Sequence, residues 1–337
     1  MEKYLVDVPV AITIWCRTEC QKLQLEVLKK AKPSIIFLIS DGGRNPKEWE
    51  AINENRKLMD NGIDWECKIY RLYECENKGM YAISKKMHRL IWEKVESCIF
   101  LEDDVLPSVS FFRYCSELLE KYKDDMRINV ICGMNHLGVS EDVNTDYFFS
   151  RQGSIWGFAI WRRTYEQYCD FSYGKDPYIM KLLKNQTRHN RVFWKRIKAY
   201  AEQEVYEGHI AWSEFFLEFS MYGQNQLQII PKKNMISNIG CTKDSAHANE
   251  LKLLPRGLRK IFKMETYEVK FPLKHAQYVI PDNEYEKKRN ENLAYNYPIK
   301  LKWYGLEMLF LKIRYGNWKE AVGVIKNKIG RKVTIEK

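Results

Sequence analysis

The chain has 337 residues, 45% of them apolar and 29% charged, a balance typical of folded globular proteins and foreign to disordered ones. At roughly 150 residues per domain it amounts to about two units, or one large domain with an extension, so a bare peptide module is excluded. The formal charge of +11 is uneven: residues 251–337 carry 20 Lys and Arg against 9 Asp and Glu, whereas residues 1–250 carry 35 of each sign.

That split places a boundary near residue 250, between an electrically balanced domain over 1–250 and a basic C-terminal extension over 251–337. No run approaches the roughly 18 apolar residues of a spanning helix. The N-terminus sets acids on both sides of a very short apolar patch and offers no small-residue cleavage site, unlike a signal peptide. A cytoplasmic location is expected, peripheral at the inner face of the plasma membrane if the extension binds lipid. The nine cysteines lack paired C-x-x-C spacing and read as reduced thiols, several in apolar strand-like runs.

Val8 to Cys16 is β-branched and reads as a strand, after which Thr18 and Gln21 form a capping box opening a helix. Ser34 to Ser40 is a nearly all-apolar strand, as expected when both faces are covered, and Asp41-Gly42-Gly43 breaks it. Asn45-Pro46 starts the next helix with an N-cap and a first-turn proline. Trp65 to Tyr73 predicts a third strand, Met80 to Val95 a helix, and Cys98 to Leu101 a fourth strand ending at Glu102-Asp103-Asp104. Alternating strands and helices imply a mixed, mostly parallel sheet with helices on both faces, an α/β Rossmann-type architecture. Ligands bind such sheets at the carboxyl ends of strands. The residues to interrogate are therefore Arg17, Asp41 to Asn45, Asn77 to Gly79 and Glu102 to Asp104.

Three successive carboxylates repel one another and need a positive partner. In extended chain Glu102 and Asp104 project to one side and Asp103 to the other. A hard divalent cation, Mg²⁺ or Mn²⁺, is the economical partner, completing its shell with water and substrate phosphates; a solvated acidic turn capping the next helix, with Ser108 or Ser110 as cap, is the structural alternative. Arg17, Arg44 and Lys78 lie at strand exits where they can meet a pyrophosphate, and Asp103 is grouped with them on the nucleotide side. Asp41, followed by two glycines, can accept a hydrogen bond from a base or ribose. Neither G-x-G-x-x-G nor G-x-x-x-x-G-K-[ST] is present, which excludes a Rossmann dehydrogenase and a P-loop enzyme.

The order Ser40-Asp41-Gly42-Gly43, Asn77-x-Gly79 and Phe100-Leu-Glu-Asp-Asp-Val-Leu-Pro-Ser-x-x-Phe-Phe resembles the nucleotide-sugar half of GT-A glycosyltransferases. It is similar to bacterial family 2-like enzymes and to the N-acetylglucosaminyltransferase I group. Tyr147 to Arg151, Ile155 to Arg163, Trp212-Ser213-Glu214-Phe215 and Ile230 to His247 extend the likeness, in order, across residues 8–248. The resemblance implies a nucleotide-sugar half at about 1–132 and an acceptor half at about 133–250. It also implies a UDP-sugar or other nucleoside-diphosphate-sugar donor, with Asp104 as principal metal ligand, Asp41 near the uracil and Glu214 where inverting relatives carry the general base. Ser213 and Glu214 replace two aspartates of that group, so a longer side chain must reach the acceptor hydroxyl.

Glu214 lies among apolar residues, where partial desolvation strengthens a carboxylate base; a helix carboxylate paired with an Arg is the other reading. Trp156, Gly157 and Trp212 mark the acceptor side, with Gly157 leaving room for a sugar ring beside the indole or the segment simply forming core. Glu102 and His247 can complete the metal shell. Residues 174–205, rich in Lys and Arg, fit a lid over the acceptor or a solvated helical excursion. Leu301 to Tyr315 and Ala321 to Ile329 suit a helix lying in an anionic membrane surface, or one packed on the domain. No nucleic-acid-binding signature is present.

The expected activity is a metal-dependent, inverting transfer of a sugar to a saccharide acceptor, lipid-linked in cell-surface polysaccharide assembly. The alternatives are a sugar nucleotidyltransferase and a non-catalytic membrane-surface binding protein on the same fold. The former normally wants a Gly-rich loop after the first strand, which Ile14-Trp-Cys-Arg-Thr-Glu lacks.

Overall fold

Apolar β-branched runs alternate with Lys- and Glu-rich helical stretches through the first 130 residues, and the chain folds accordingly. A computed structural model describes residues 2–167, 172–188, 190–202, 214–240 and 251–315, apart from the side chains of Glu2, Glu202, Glu214 and Phe216. The described strands are β1 (Glu2–Lys3), β2 (Val6–Thr13), β3 (Pro33–Ser40), β4 (Trp65–Glu66), β5 (Lys68–Tyr73), β6 (Ser97–Leu101), β7 (Val105–Pro107), β8 (Ile128–Cys132), β9 (Tyr147–Ser150), β10 (Phe158–Trp161), β11 (Leu227–Pro231) and β12 (Ile236–Asn238). The helices are α1 (Thr18–Ala31), α2 (Pro46–Gly62), α3 (Met80–Trp92), α4 (Ser110–Lys121), α5 (Arg162–Glu166), α6 (Pro177–Gln186), α7 (Arg191–Glu202), α8 (Glu214–Gly223), α9 (Arg256–Arg259), α10 (Asn283–Asn292) and α11 (Pro298–Tyr315).

Eight strands form one sheet in the order β5-β3-β2-β6-β10-β8-β11-β9. Only β10 and β9 run against the others, so the sheet is mixed and mostly parallel, as the alternation implied. Side-chain alternation in β2 and β3 divides the core in two. Val10, Ile12, Ile36 and Leu38 face one layer with Leu25 and Leu28 of α1 and Phe111 and Phe112 of α4. Ala11, Phe37 and Ile39 face the other with Ile91 and Trp92 of α3, Leu217 of α8 and Tyr285 of α10. Burying each large apolar side chain stabilises by about 1.5–3 kcal/mol, which is why these strands carry almost no polar residue. A third core, built from Phe193 and Ile197 of α7 and Phe215 and Phe219 of α8, holds the described part of 174–205 together as a helical module.

Local signals hold where the partner is near in sequence. Asn45 Oδ1 accepts from the Glu48 amide at 3.0 Å, with Pro46 in the first turn of α2. They fail where the partner is remote. Arg17, not Thr18, is the N-cap of α1, and it makes no side-chain cap bond. Neither Ser108 nor Ser110 caps α4; the Glu268 carboxylate accepts from the Val109 and Ser110 amides at 3.0 and 2.7 Å. The expected strand from Trp65 to Tyr73 is split at Cys67, because β4 pairs with β1 and β5 with β3.

Over its described residues, 251–315, the basic extension is laid against the α/β layers. Beyond the Glu268 cap, the Tyr267 amide donates to Asn234 O and the Leu273 amide to Glu117, while Tyr285 is buried in the core. No described helix is long and apolar enough to cross a membrane.

His88 of α3 is buried, with its ring 4.8 Å from that of Tyr165 and 5.3 Å from that of Phe100. Burial pushes its pKa down to about 3 from 6.5. The unfolded chain therefore takes up a proton that the folded chain refuses, and stability present above pH 6.5 is lost as pH falls toward about 3. His88→Phe is expected to keep the stacking and to flatten this acid limb, read as a smaller drop in urea midpoint from pH 7 to pH 4. Equal drops in the two proteins would show that the imidazole carries none of it.

Candidate functional site

Strand β2 is flanked by β3 on one side and β6 on the other, so successive connections diverge and leave a crevice at the carboxyl ends of the strands. Arg17 follows β2, Asp41 follows β3, Asn77 to Gly79 follow β5 and Glu102 to Asp104 follow β6. Strand β10 runs antiparallel to β6 with Phe158 opposite Phe100, so Trp156 and Gly157 start from the same edge. The fold thus gathers at one edge most of the site residues expected from sequence.

The acidic tripeptide is a turn, closed by the Val105 amide donating to Glu102 O at 3.2 Å. The expected alternation is therefore not realised. Glu102 is exposed and Asp103 is buried. Arg17 Nη1 donates to Asp103 Oδ1 at 2.6 Å and stands 3.5 Å from Asp104 Oδ2. One guanidinium thus serves two carboxylates. Asp103 Oδ2 is buried with no hydrogen-bond partner among those residues. Burial, reinforced by the Asp104 charge, outweighs Arg17 and pushes the Asp103 carboxyl up to about 6.

Two long-range clamps, neither legible in local sequence, hold this turn. Gln24 Nε2 donates to Glu102 O at 2.6 Å and Val105 O at 2.7 Å, while Gln21 Nε2 reaches Gln24 Oε1 at 2.6 Å and Thr13 O at 3.3 Å. Both glutamines lie on the buried face of α1, and through them it fastens β2 to the turn. From the other side β12 pairs with β7, and the Ile239 amide donates to Asp104 O at 2.9 Å. A Cβ on Gly240 would lie 2.0 Å from Asp104 Oδ2, so glycine is needed for this close approach.

Asp41 organises the neighbouring exits. Its Oδ1 accepts from the Gly42 and Lys78 amides at 2.9 and 2.8 Å, and its Oδ2 accepts from the Gly79 amide at 2.9 Å and Asn77 Nδ2 at 3.2 Å. Arg56, which sequence reading passed over, binds Ser40 O, Asp41 O and Glu74 O through Nη2. Its guanidinium lies between the Trp49 and Tyr73 rings, at 5.4 and 4.7 Å from their centroids. Arg44 pairs with Glu48 and lies over the Trp15 ring, and Lys78 Nζ pairs with Glu76. Both are surface pairs, weak enough for a more strongly charged phosphate to displace.

At the acceptor side Trp156 packs on Phe262, with ring centroids 5.2 Å apart. Gly157 has φ +61°, and a Cβ there would lie 2.3 Å from Ile236 Cδ1. Protein therefore fills the room expected there for a sugar ring. Glu214 opens α8, but its side chain lies outside the described residues, as do Trp212 and His247. Cys16 and Cys20 are free, and burial, together with nearby carboxylates, raises both thiols, Cys16 to about 11.

Among the described residues no group of three or more His, Cys, Asp and Glu side chains gathers to hold a metal ion. The partial donor set nonetheless fits a hard cation: two carboxylates share one guanidinium, and Asp103 Oδ2 is buried without a hydrogen-bond partner among those residues. Asp104 and Asp103, with Glu102 beside them, are the residues that would hold it.

Asp41→Asn would set an NH₂ group against N–H donors that now meet carboxylate oxygens. It is expected to cost about 1–3 kcal/mol, measured by urea unfolding. An unchanged midpoint would mean that the loop does not depend on these bonds.

No family model matches the chain, and no curated protein sequence matches it. Among solved structures, mouse xyloside xylosyltransferase 1 in its apo form is 13% identical over 66% of this chain and 84% of that one, with a TM-score of 0.37. A UDP-glucose pyrophosphorylase complexed with UDP-glucose is 11% identical over 69% and 93%, with a TM-score of 0.35. UTP-bound UGPase from Acinetobacter baumannii is 12% identical over 69% and 88%, with a TM-score of 0.32. Similarity at this level assigns no activity.

Proposed function

We propose that the protein is a metal-dependent glycosyltransferase of GT-A type that moves a sugar from a nucleoside diphosphate, UDP by preference, to a saccharide acceptor. The observation that carries this reading is the Arg17–Asp103–Asp104 constellation at the divergence of β2 and β6. Asp103 Oδ2, buried beside Arg17 with no hydrogen-bond partner among the described residues, is an oxygen that a divalent cation can meet, and a cation there faces the place where an α/β sheet of this order accepts a ligand. Bound Mn²⁺ or Mg²⁺ would supply stabilisation of the leaving diphosphate.

The remaining roles belong to this chain's own groups. Arg17 holds Asp103 and Asp104 side by side, and Gln24 fixes the turn from beneath. The loop that Asp41 ties together, with Asn77 and Gly79, offers backbone and amide groups against which a base can lie. Arg44 and Lys78 exchange their surface carboxylates for phosphate oxygens. Glu214, at the start of α8, takes the proton of the attacking hydroxyl. The acceptor in this reading is a lipid-linked saccharide at the cytosolic face of a membrane.

Incubation of UDP-sugars with Mn²⁺ is expected to release UDP slowly by transfer to water, and Asp104→Ala should reduce that release by at least about 100-fold. Release of pyrophosphate from UTP and a sugar phosphate would instead identify a nucleotidyltransferase. No turnover of either kind would leave a binding protein on a transferase-like sheet. Once an acceptor is found, Glu214→Gln should retain donor binding and lose transfer by about 100-fold or more; unchanged turnover would remove Glu214 as the base.

A further inference from the structure

Helix α11 has two unlike faces. On the inner one Tyr304 and Leu311 are buried. Glu307 accepts from the Arg256 amide at 2.9 Å and lies 3.8 Å from Arg259. A Cβ on Gly257 would meet Tyr304 Oη at 1.7 Å, so α9 and α11 touch at their closest where glycine allows it. On the outer face Ile299, Trp303, Leu306, Phe310 and Ile313 follow one another at spacings of four and three and form a single stripe. They are 84%, 66%, 61%, 60% and 44% exposed. Isolated exposed apolar residues are ordinary, but an aligned row of five large ones is a contact surface.

We infer that this stripe docks in the plane of an anionic lipid bilayer. The charge beside it selects the partner. Lys300, Lys302, Lys312 and Arg314 are the charged residues of α11 apart from Glu307, which is committed to the inner face. A cavity of about 740 Å³ between α9 and α11 adjoins the stripe, lined by Trp303, Leu306 and Phe310 together with Arg256, Lys260 and Glu307. A second copy of the chain would set the same cations against one another. α11 is not a spanning helix, so it lies in the interface with its apolar side chains down, while the lysines reach up to the headgroups. Trp303 is the residue type enriched at that depth. The surface shares no residue with the crevice between β2 and β6 and stands or falls separately from it.

The test is co-flotation of the full chain with vesicles of POPC and of POPC mixed with POPG. The chain is expected to float with the POPG vesicles, to float little with POPC alone, and to be released by high salt. Trp303→Glu combined with Phe310→Glu changes only exposed side chains. It should reduce the bound fraction about tenfold with an unchanged circular-dichroism melt. Lys300→Gln, Lys302→Gln and Lys312→Gln together should weaken binding to POPG vesicles only. Undiminished binding by the Glu variant, or equal binding to both vesicle types, would overturn the inference. So would failure of the wild-type chain to float while light scattering shows a dimer that the Glu variant dissolves, which would make the stripe a self-association surface.

Discussion

Two neighbouring aspartates at the end of a buried strand can be accommodated only if something shares their charge, and Arg17 does so first. Its guanidinium bonds Asp103 at 2.6 Å and stands 3.5 Å from Asp104, at the point where β3 and β6 part on either side of β2. A surface pair of this kind would contribute little. Here desolvation makes each charge costly unless compensated, and Asp103 Oδ2 is buried with no hydrogen-bond partner among the described residues. The surrounding fold holds this turn: Gln24 of α1, braced by Gln21, reaches it, β12 closes over Asp104, and Gly240 leaves the space that closure needs.

The neighbouring strand exits are organised differently. At β3 and β5 the carboxylate of Asp41 turns inward to amides, and Arg56 turns inward to carbonyls. Those groups shape a loop rather than present free charge. The crevice therefore pairs a carboxylate-bearing side, at Asp103 and Asp104, with a hydrogen-bonded side at Asp41. A ligand that is charged at one end and planar and polar at the other is complementary to such a division.

The alternating layers of the fold were legible because their signals are local. An all-apolar run such as Ile35 to Ile39 has to be a strand covered on both faces, and Asn45-Pro46 specifies a helix start through atoms three residues apart. The acidic exit of β6 and its neighbours Arg17 and Asp41 were legible as well, since a broken apolar run exposes the strand end. What escaped was everything set by partners far along the chain. Thr18 and Gln21 have the spacing of a capping box, yet Gln21 is drawn to Gln24 and Thr13 O, while Gln24 holds a turn 78 residues away. Ser110 looks like a cap, yet Glu268 does the capping from 158 residues away. Gly157 reads as an opening beside an indole and is filled by Ile236. A glycine in sequence announces space without saying what occupies it. The basic extension was legible as a composition shift, but its apolar residues divide between buried anchors such as Tyr285 and the exposed stripe of α11 only once the helices are placed.

The most direct measurement is calorimetric titration of UDP into the full chain, with Mn²⁺ and with the metal removed by chelator. UDP is expected to bind in the presence of Mn²⁺, to lose that binding on chelation, and to lose it equally in Asp104→Asn with metal present. Binding of UDP with the same affinity in all three conditions would contradict a cation held by Asp103 and Asp104.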